Sequence, residues 1–170
     1  MKNIYLVGMM GSGKTTTGIA LAKRMGLSYV DLDERIVEQE GRSINEIFNM
    51  KGEGYFRNLE TQLLNQTSKK TDQVVATGGG IVINPMNRER MQDTGFVIYL
   101  KTSLAVLWER VKEKKDRPLL KSSDPHQSLA DLFRKRTPWY EEVSERFFLT
   151  DSKSPEAVAL EIYKTCFESK

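Results

Sequence analysis

The sequence predicts an α/β protein in which a mainly parallel sheet carries helices on both faces. Five short apolar segments of strand composition alternate along the chain with segments of helical periodicity. The first of these strands, residues 4–7, leads directly into a glycine-rich loop at residues 8–13, and a helical segment follows over residues 15–24. Strand, loop and helix in this order are typical of such a sheet.

The glycine-rich loop has the spacing Gly-x-x-x-x-Gly-Lys-Thr over residues 8–15, which is the pattern of a phosphate-binding loop. Glycines let backbone N–H groups approach a polyphosphate, and the following helix N-terminus adds a partial positive charge. Lys14 is placed to reach the β- and γ-phosphates, and the Thr15 hydroxyl to ligate Mg²⁺. We therefore predict a nucleoside triphosphate site at Gly11, Ser12, Gly13, Lys14, Thr15 and Thr16.

Composition indicates a soluble, globular, cytoplasmic protein. The 170 residues suit one domain, and the net charge of +3 is too small to indicate nucleic-acid binding. The single cysteine, Cys166, cannot form an intrachain disulfide, which favours a reducing compartment. No apolar run approaches the ~20 residues of a membrane span. Because the first strand begins almost at Met1, we expect no targeting segment.

Two aspartates close the second predicted strand, residues 28–32, in the sequence Asp31-Leu32-Asp33. Side chains two apart on a strand point to the same face, so both carboxylates are expected at the ligand-binding edge of the sheet. Phosphoryl transfer needs one carboxylate near magnesium and one near the attacking hydroxyl. The alternative is that both are turn residues, or that one of them caps the next helix.

Residues 34–63 are predicted to form a helical flap beside the sheet, suited to hold a second substrate, because no strand interrupts them. Ser43 and Glu46 have the spacing of a capping box, which begins one helix. That helix is expected to stop near Gly52, and a second helix to begin at Tyr55.

Two polar features complete the predicted substrate site. Arg57 and Glu60 share a helix face, either as a surface ion pair or as a guanidinium oriented to bind a substrate carboxylate. Gly78, Gly79 and Gly80 follow the third strand, where they indicate close approach of a ligand to the backbone, unless they form only a flexible turn.

Residues 112–126 are dense in charge and are predicted to form a mobile lid. A basic loop that faces a triphosphate can exclude water and place an arginine on the transferred phosphate, and Arg117 is the candidate. The alternative is a merely solvated charge run. The helix after the lid is expected to end before Pro138, with Arg136 facing the substrate.

Taken together, these motifs resemble those of shikimate kinases, which are phosphate-loop enzymes of the nucleoside-monophosphate-kinase-like group. The resemblance extends over essentially the whole chain. It rests on residues 8–15, Asp31-Leu32-Asp33, Gly41-Arg42-Ser43-Ile44, Phe56-Arg57 with Glu60, Gly78-Gly79-Gly80, Arg117-Pro118-Leu119-Leu120, and Arg136 with Pro138 and Tyr140.

The resemblance implies a three-layer α/β/α P-loop fold over residues 1–170, with a five-stranded parallel sheet of order 2-3-1-4-5, the flap and the lid. It implies transfer of the ATP γ-phosphate to the 3-hydroxyl of shikimate, with Mg²⁺, in aromatic amino-acid biosynthesis. We expect a monomer whose partners are these two small molecules, with no nucleic acid and no membrane.

Roles for individual residues also follow from the resemblance. Asp33 would orient or deprotonate the attacking hydroxyl, and Arg57 and Arg136 would bind the carboxylate. Lys14 and Arg117 would stabilise the transferred phosphate. The remaining implied sites are the substrate site at Glu60, Gly78, Gly79 and Gly80, the magnesium site at Thr15 and, through water, Asp31, and the adenine site at Arg110 and Pro155.

Three rival functions stay open. Gluconate kinase is also a small phosphate-loop enzyme that phosphorylates a hydroxy acid, although the triple glycine and the pair Arg57 and Arg136 argue against it. A nucleotide-binding switch without catalysis would bind ATP but show no substrate-dependent turnover. A nucleic-acid-binding module is the weakest rival, because the positive charge is slight.

Overall fold

The computed structural model describes residues 1–168. Its strands are β1 (Asn3–Val7), β2 (Ser28–Asp31), β3 (Gln73–Ala76), β4 (Gly95–Lys101) and β5 (Arg146–Leu149). Its α-helices are α1 (Lys14–Met25), α2 (Leu32–Glu40), α3 (Ile44–Thr67), α4 (Pro85–Thr94), α5 (Leu104–Val111), α6 (Pro125–Val143) and α7 (Pro155–Cys166). Short 3₁₀ turns lie at Ile81–Ile83 and Pro118–Leu120.

All five strands are parallel and follow the order β2-β3-β1-β4-β5. The five predicted strands and the expected sheet order are therefore confirmed. Alternation along β1 assigns the two faces: Ile4 and Leu6 pack with α1 and α7, whereas Tyr5 and Val7 pack with α3 and α6. The sheet is thus the middle of three layers, and the carboxyl ends of its strands share one edge.

Asp31 ends β2 and begins α2. Its side chain accepts hydrogen bonds from the backbone N–H groups of Asp33, at 3.0 Å, and Glu34, at 3.3 Å, and so acts as an N-cap. Asp33 therefore lies in the first turn of a helix. The prediction that both aspartates project from one face of a strand is wrong, because the cap of Asp31 turns the chain before Asp33.

Helix α3 begins at the predicted capping box, in which Ser43 and Glu46 bond to each other's backbone N–H. The prediction of two helices in this region is confirmed: α3 consists of two helical parts that meet at a kink at Gly52, where φ is 81° and ψ is 171°. Those angles are accessible almost only to glycine, so this glycine interrupts the helix where the sequence predicted a stop.

Helix α6 continues five residues past Pro138, so the prediction that it ends before that proline is wrong. A proline inside a helix removes one backbone hydrogen bond, at a cost of ~3 kcal/mol. Burial of Tyr140 and Val143 beyond the proline, at 0% and 1% exposure, offsets this cost. The longer helix places Arg136 in its interior, where the side chain is only 2% exposed.

No helix within residues 1–168 combines the length and the apolarity that crossing a bilayer requires.

We predict opposite effects on stability for two alanine substitutions in α3. Gly52→Ala should lower the free energy of unfolding by about 1–3 kcal/mol, because alanine is strained at the kink. Gly54→Ala is the matched control, because this glycine lies two residues later in helical conformation with open space around its Cα. It should raise the free energy of unfolding by about 0.5–1 kcal/mol. Urea unfolding measures both, and a stabilising Gly52→Ala would contradict the kink.

Candidate functional site

A cleft of about 910 Å³ opens at the carboxyl edge of the sheet. It is lined by the glycine-rich loop, the flap, the lid and the inner side of α6. The structure brings every site residue predicted from the sequence to this one cleft: Gly11, Ser12, Gly13, Lys14, Thr15, Thr16, Asp31, Asp33, Arg57, Glu60, Gly78, Gly79, Gly80, Arg110, Arg117, Arg136 and Pro155.

The loop between β1 and α1 has the tight curl that a phosphate needs. Gly11 adopts a φ of +80°, and a Cβ there would lie 2.8 Å from the Val111 side chain, so only glycine fits without a shift. The Lys14 ammonium donates hydrogen bonds to the carbonyls of Gly8, at 2.8 Å, and Met9, at 3.0 Å. Burial lowers the pKa of Lys14 to about 8, while the negative charge of Asp33 partly opposes the shift.

The Asp31 carboxylate is fixed by four donors. One oxygen bonds the two N–H groups of α2, and the other accepts from the Thr15 hydroxyl, at 2.8 Å, and the Tyr29 hydroxyl, at 3.1 Å. Tyr29 was not predicted as part of the site. It lies two residues before Asp31 on β2, and this spacing is the signal that could have found it.

The same residues fit a magnesium ion. The Thr15 hydroxyl donates its hydrogen to Asp31, so its oxygen lone pairs stay available, and hydroxyl and carboxylate oxygens are the ligands that Mg²⁺ prefers. Within residues 1–168, no group of three or more His, Cys, Asp or Glu side chains could hold a metal by itself. A magnesium ion here would therefore need further oxygens, from water or a bound phosphate, to complete its shell.

Two buried carboxylates converge beside Gly78. A Cβ on that glycine would collide with Glu60 Oε1 and lie 2.9 Å from Asp33 Oδ1. Neither oxygen has a hydrogen-bond partner in the described part of the chain. Burial raises the pKa of Glu60 to about 7, and burial together with the charge of Asp31 raises the pKa of Asp33. Two orphaned acceptors side by side suit hydroxyl donors of a ligand.

Arg57 is held on two sides by carboxylates. Its Nη1 donates to Glu60 at 2.7 Å, and its Nε and Nη2 donate to Glu53 at 3.2 and 3.1 Å. A Cβ on Gly80 would collide with the guanidinium, so a glycine there lets the arginine reach the cleft. Glu53 was missed by the sequence analysis, although it lies one helical turn before Arg57.

Arg136 is a buried charge of the cleft without a carboxylate partner in the described residues. Its side chain is 2% exposed, and no carboxylate of residues 1–168 forms an ion pair with it within 4.0 Å. A Cβ on Gly79 would lie 3.5 Å from its Nη1. Because an unpaired buried charge is costly, Arg136 marks a place for an anionic group of a ligand.

One turn later, the buried Tyr140 hydroxyl donates to the Gly79 carbonyl. Tyr140 also stacks on Tyr99, with ring centroids 5.2 Å apart. The hydroxyl therefore fixes the backbone of the glycine turn against α6. Sequence analysis included Tyr140 in a motif but assigned it no contact, because the bond spans 61 residues.

The far end of the cleft contains the residues predicted to flank adenine. Arg110 donates to the carbonyls of Gly11, at 2.9 Å, and Thr150, at 3.4 Å, and Pro155 is the first residue of α7. Arg117 reaches the same cleft from the lid, and its buried Nε has no hydrogen-bond partner among residues 1–168, where its ion pair with Asp116 is long, at 3.9 Å. The cleft thus offers cations along its length, from the adenine end to Arg136.

Comparisons with known proteins agree on one family. The shikimate kinase family model matches residues 10–167. A shikimate kinase of Legionella pneumophila is 44% identical over 164 residues, which are 96% of this chain and 94% of the relative. One from Dechloromonas aromatica is 47% identical over 143 residues, which are 84% of this chain and 78% of the relative.

Solved structures give the same result. Shikimate kinase from Acinetobacter baumannii, in complex with shikimate, is 39% identical with a TM-score of 0.94, and the match covers 96% of this chain and 92% of that one. A deoxyadenosine kinase from M. mycoides with bound dATP is 18% identical with a TM-score of 0.59, covering 96% and 98%. At that identity the second likeness concerns the fold alone.

We predict that ATP affinity falls as the pH rises through about 8, by up to about tenfold per pH unit, because Lys14 then loses its charge. Lys14→Arg keeps a charged group throughout this range and should bind more weakly but with a flat profile. Calorimetric titration between pH 7 and 9.5 compares the two proteins. A flat profile for the unmodified chain, or an equal decline in both, would contradict this role.

Proposed function

The chain belongs to the shikimate kinase family, and we propose that its cleft binds shikimate and ATP end to end, with the 3-hydroxyl of shikimate as the phosphate acceptor. It is an ATP-dependent phosphotransferase that acts on a hydroxyl group of shikimate.

One observation carries the placement of shikimate. Buried Arg136 has no carboxylate partner within residues 1–168, while the nearby oxygens of Asp33 and Glu60 have no donor. A small acid with several hydroxyl groups supplies what both sides lack: a carboxylate for the arginine and O–H donors for the two acceptors. Arg57, oriented by Glu60, provides a second guanidinium for the same carboxylate.

At the phosphate end, we assign charge stabilisation to Lys14 and Arg117. Lys14 lies on the loop carbonyls, and Arg117 faces the cleft from the lid. Both cations neutralise charge on the γ-phosphate as it leaves ADP. Thr15 would hold magnesium directly and Asp31 through water. That ion would offset the negative charge of the phosphates.

Asp33 is assigned as the group that orients the attacking hydroxyl and accepts its proton. Its raised pKa makes it a stronger base than an ordinary aspartate, while its buried Oδ1 is free to accept a hydrogen bond. As the oxygen of shikimate bonds to the γ-phosphorus, the bond to the β-phosphate oxygen breaks. The proton passes to Asp33, and ADP leaves.

We further propose one kinase domain over residues 1–170, with the flap at about 34–63, the lid at about 112–126, and adenine between Arg110 and Pro155. All proposed site residues come from one chain, which supports a monomer as the active form. A reaction that consumes ATP and a free metabolite supports a cytoplasmic location.

The direct test is ADP release from MgATP with shikimate, gluconate, a nucleoside monophosphate or no acceptor. We expect release that depends on shikimate, because the two arginines and the hydroxyl acceptors match it. Gluconate-dependent release alone would replace the proposed acceptor. ATP binding without turnover on any acceptor would leave a nucleotide-binding switch.

Asp33→Asn is the variant for the chemical step, since an amide keeps the shape but cannot take the proton. Turnover should fall by roughly two to four decades while shikimate still binds. Near-normal turnover would limit Asp33 to positioning.

For the carboxylate site, we predict that Arg57→Lys raises the shikimate KM by about tenfold or more and leaves ATP binding nearly unchanged. Lysine keeps the charge but loses the two-pronged bond. Arg35→Lys is the control, because Arg35 is 57% exposed and pairs only with Glu38, at 3.5 Å, in the described chain. Equal shikimate kinetics in the two variants would remove Arg57 from the site.

A further inference from the structure

Within the described 168 residues, one hydrogen bond joins the flap to the lid. The side-chain amide of Asn45, in the first turn of α3, donates to the backbone carbonyl of Lys115 at 3.1 Å. Lys115 lies in the irregular segment between α5 and the 3₁₀ turn at Pro118–Leu120, two residues before Arg117. The bond therefore fixes the lid backbone close to the arginine that faces the phosphates.

The side chain of Asn45 has no competing task in its own helix. Asparagine near a helix N-terminus ordinarily caps it, but the capping box of Ser43 and Glu46 already does so. The Asn45 Oδ1 atom is buried and has no partner within residues 1–168. The hydrogen bond from Nδ2 to the lid is therefore the one side-chain hydrogen bond of Asn45 within the described residues.

We propose that Asn45 is a positioning residue that latches the lid to the flap and so couples shikimate binding to nucleotide binding. The proposal rests on the roles assigned above to Arg57 and Arg117. Helix α3 carries Asn45 before its kink and Arg57 after it. The rings of Phe48 and Phe56 pack across the kink, with centroids 4.9 Å apart. A ligand that orders Arg57 therefore also orders the first part of α3, and the bond from Asn45 transmits that order to the lid.

The test uses two variants of the full-length chain. Asn45→Asp keeps the shape of the side chain but, once ionised, has no hydrogen to donate, and an acidic residue in the first turn favours the helix, so folding is preserved. Asn49→Asp is the matched control: Asn49 lies one turn later on α3 and is exposed. Asn45→Ala, which also lacks the donor, checks that repulsion is not the cause.

Three readouts separate a latch from a merely structural residue. They are kcat, the Kd of MgADP with and without shikimate, and hydrogen exchange at the amides of residues 113–117 and 119. We expect both Asn45 variants to lower kcat by about five- to tenfold. Shikimate should tighten MgADP binding in the unmodified chain and in Asn49→Asp, but much less in the Asn45 variants, whose lid amides should exchange faster. The Kd of shikimate alone should stay unchanged.

Two results would overturn the proposal. In one, the Asn45 variants match Asn49→Asp in the effect of shikimate on the Kd of MgADP and in hydrogen exchange at the lid amides. In the other, shikimate leaves the Kd of MgADP unchanged in the unmodified chain. Failure of the assigned function looks different, because the unmodified chain would then show no shikimate-dependent turnover. Hydrogen exchange in the absence of substrates would still decide whether Asn45 holds the lid.

Discussion

Buried charge at the carboxyl edge of the sheet is the constraint on which the cleft depends. Charged groups taken out of water must be paired or must change their protonation state. Arg57 is paired with Glu53 and Glu60, and the shifted pKa values of Lys14, Asp33 and Glu60 reflect the burial that remains uncompensated. A ligand must supply the partners that the described residues lack, above all an anionic group for the Arg136 guanidinium.

Glycines allow so many charged groups to converge in so small a space. At Gly78 and Gly80 a Cβ would collide with Glu60 and with Arg57, respectively. The backbone turn between them is fixed by the Tyr140 hydroxyl, which donates a hydrogen bond to the Gly79 carbonyl. The three glycines therefore leave space for the polar groups of the flap and the sheet to face the same ligand. Helix α6 fixes the position of this glycine turn through Tyr140.

Local patterns in the sequence predicted most of the fold because they depend on near neighbours. The phosphate-binding loop, the five strands and the capping box of Ser43 and Glu46 follow from spacing and residue type alone. The strand order did not follow from periodicity and came from the resemblance. The prediction that α6 ends before Pro138 failed, because packing over long sequence distances decides whether that helix continues.

The site residues, too, were predictable where a local sequence pattern marks them and not where long-range packing decides their role. Residues on recognisable motifs were predicted, whereas Tyr29, Glu53 and Asn45 were missed, because their roles depend on which partner the fold brings near them. Asp33 was assigned to the right cleft but to the wrong element, since a cap on Asp31 cannot be distinguished from a strand end by sequence alone.

The most direct measurement of the central claim is a crystal structure of this chain with shikimate and MgADP. The account predicts the shikimate carboxylate between the guanidinium groups of Arg57 and Arg136, and a hydroxyl within hydrogen-bond distance of Asp33 Oδ1 on the side of the phosphate-binding loop. A carboxylate that turns toward Lys14, with Arg136 still unpaired, would contradict it.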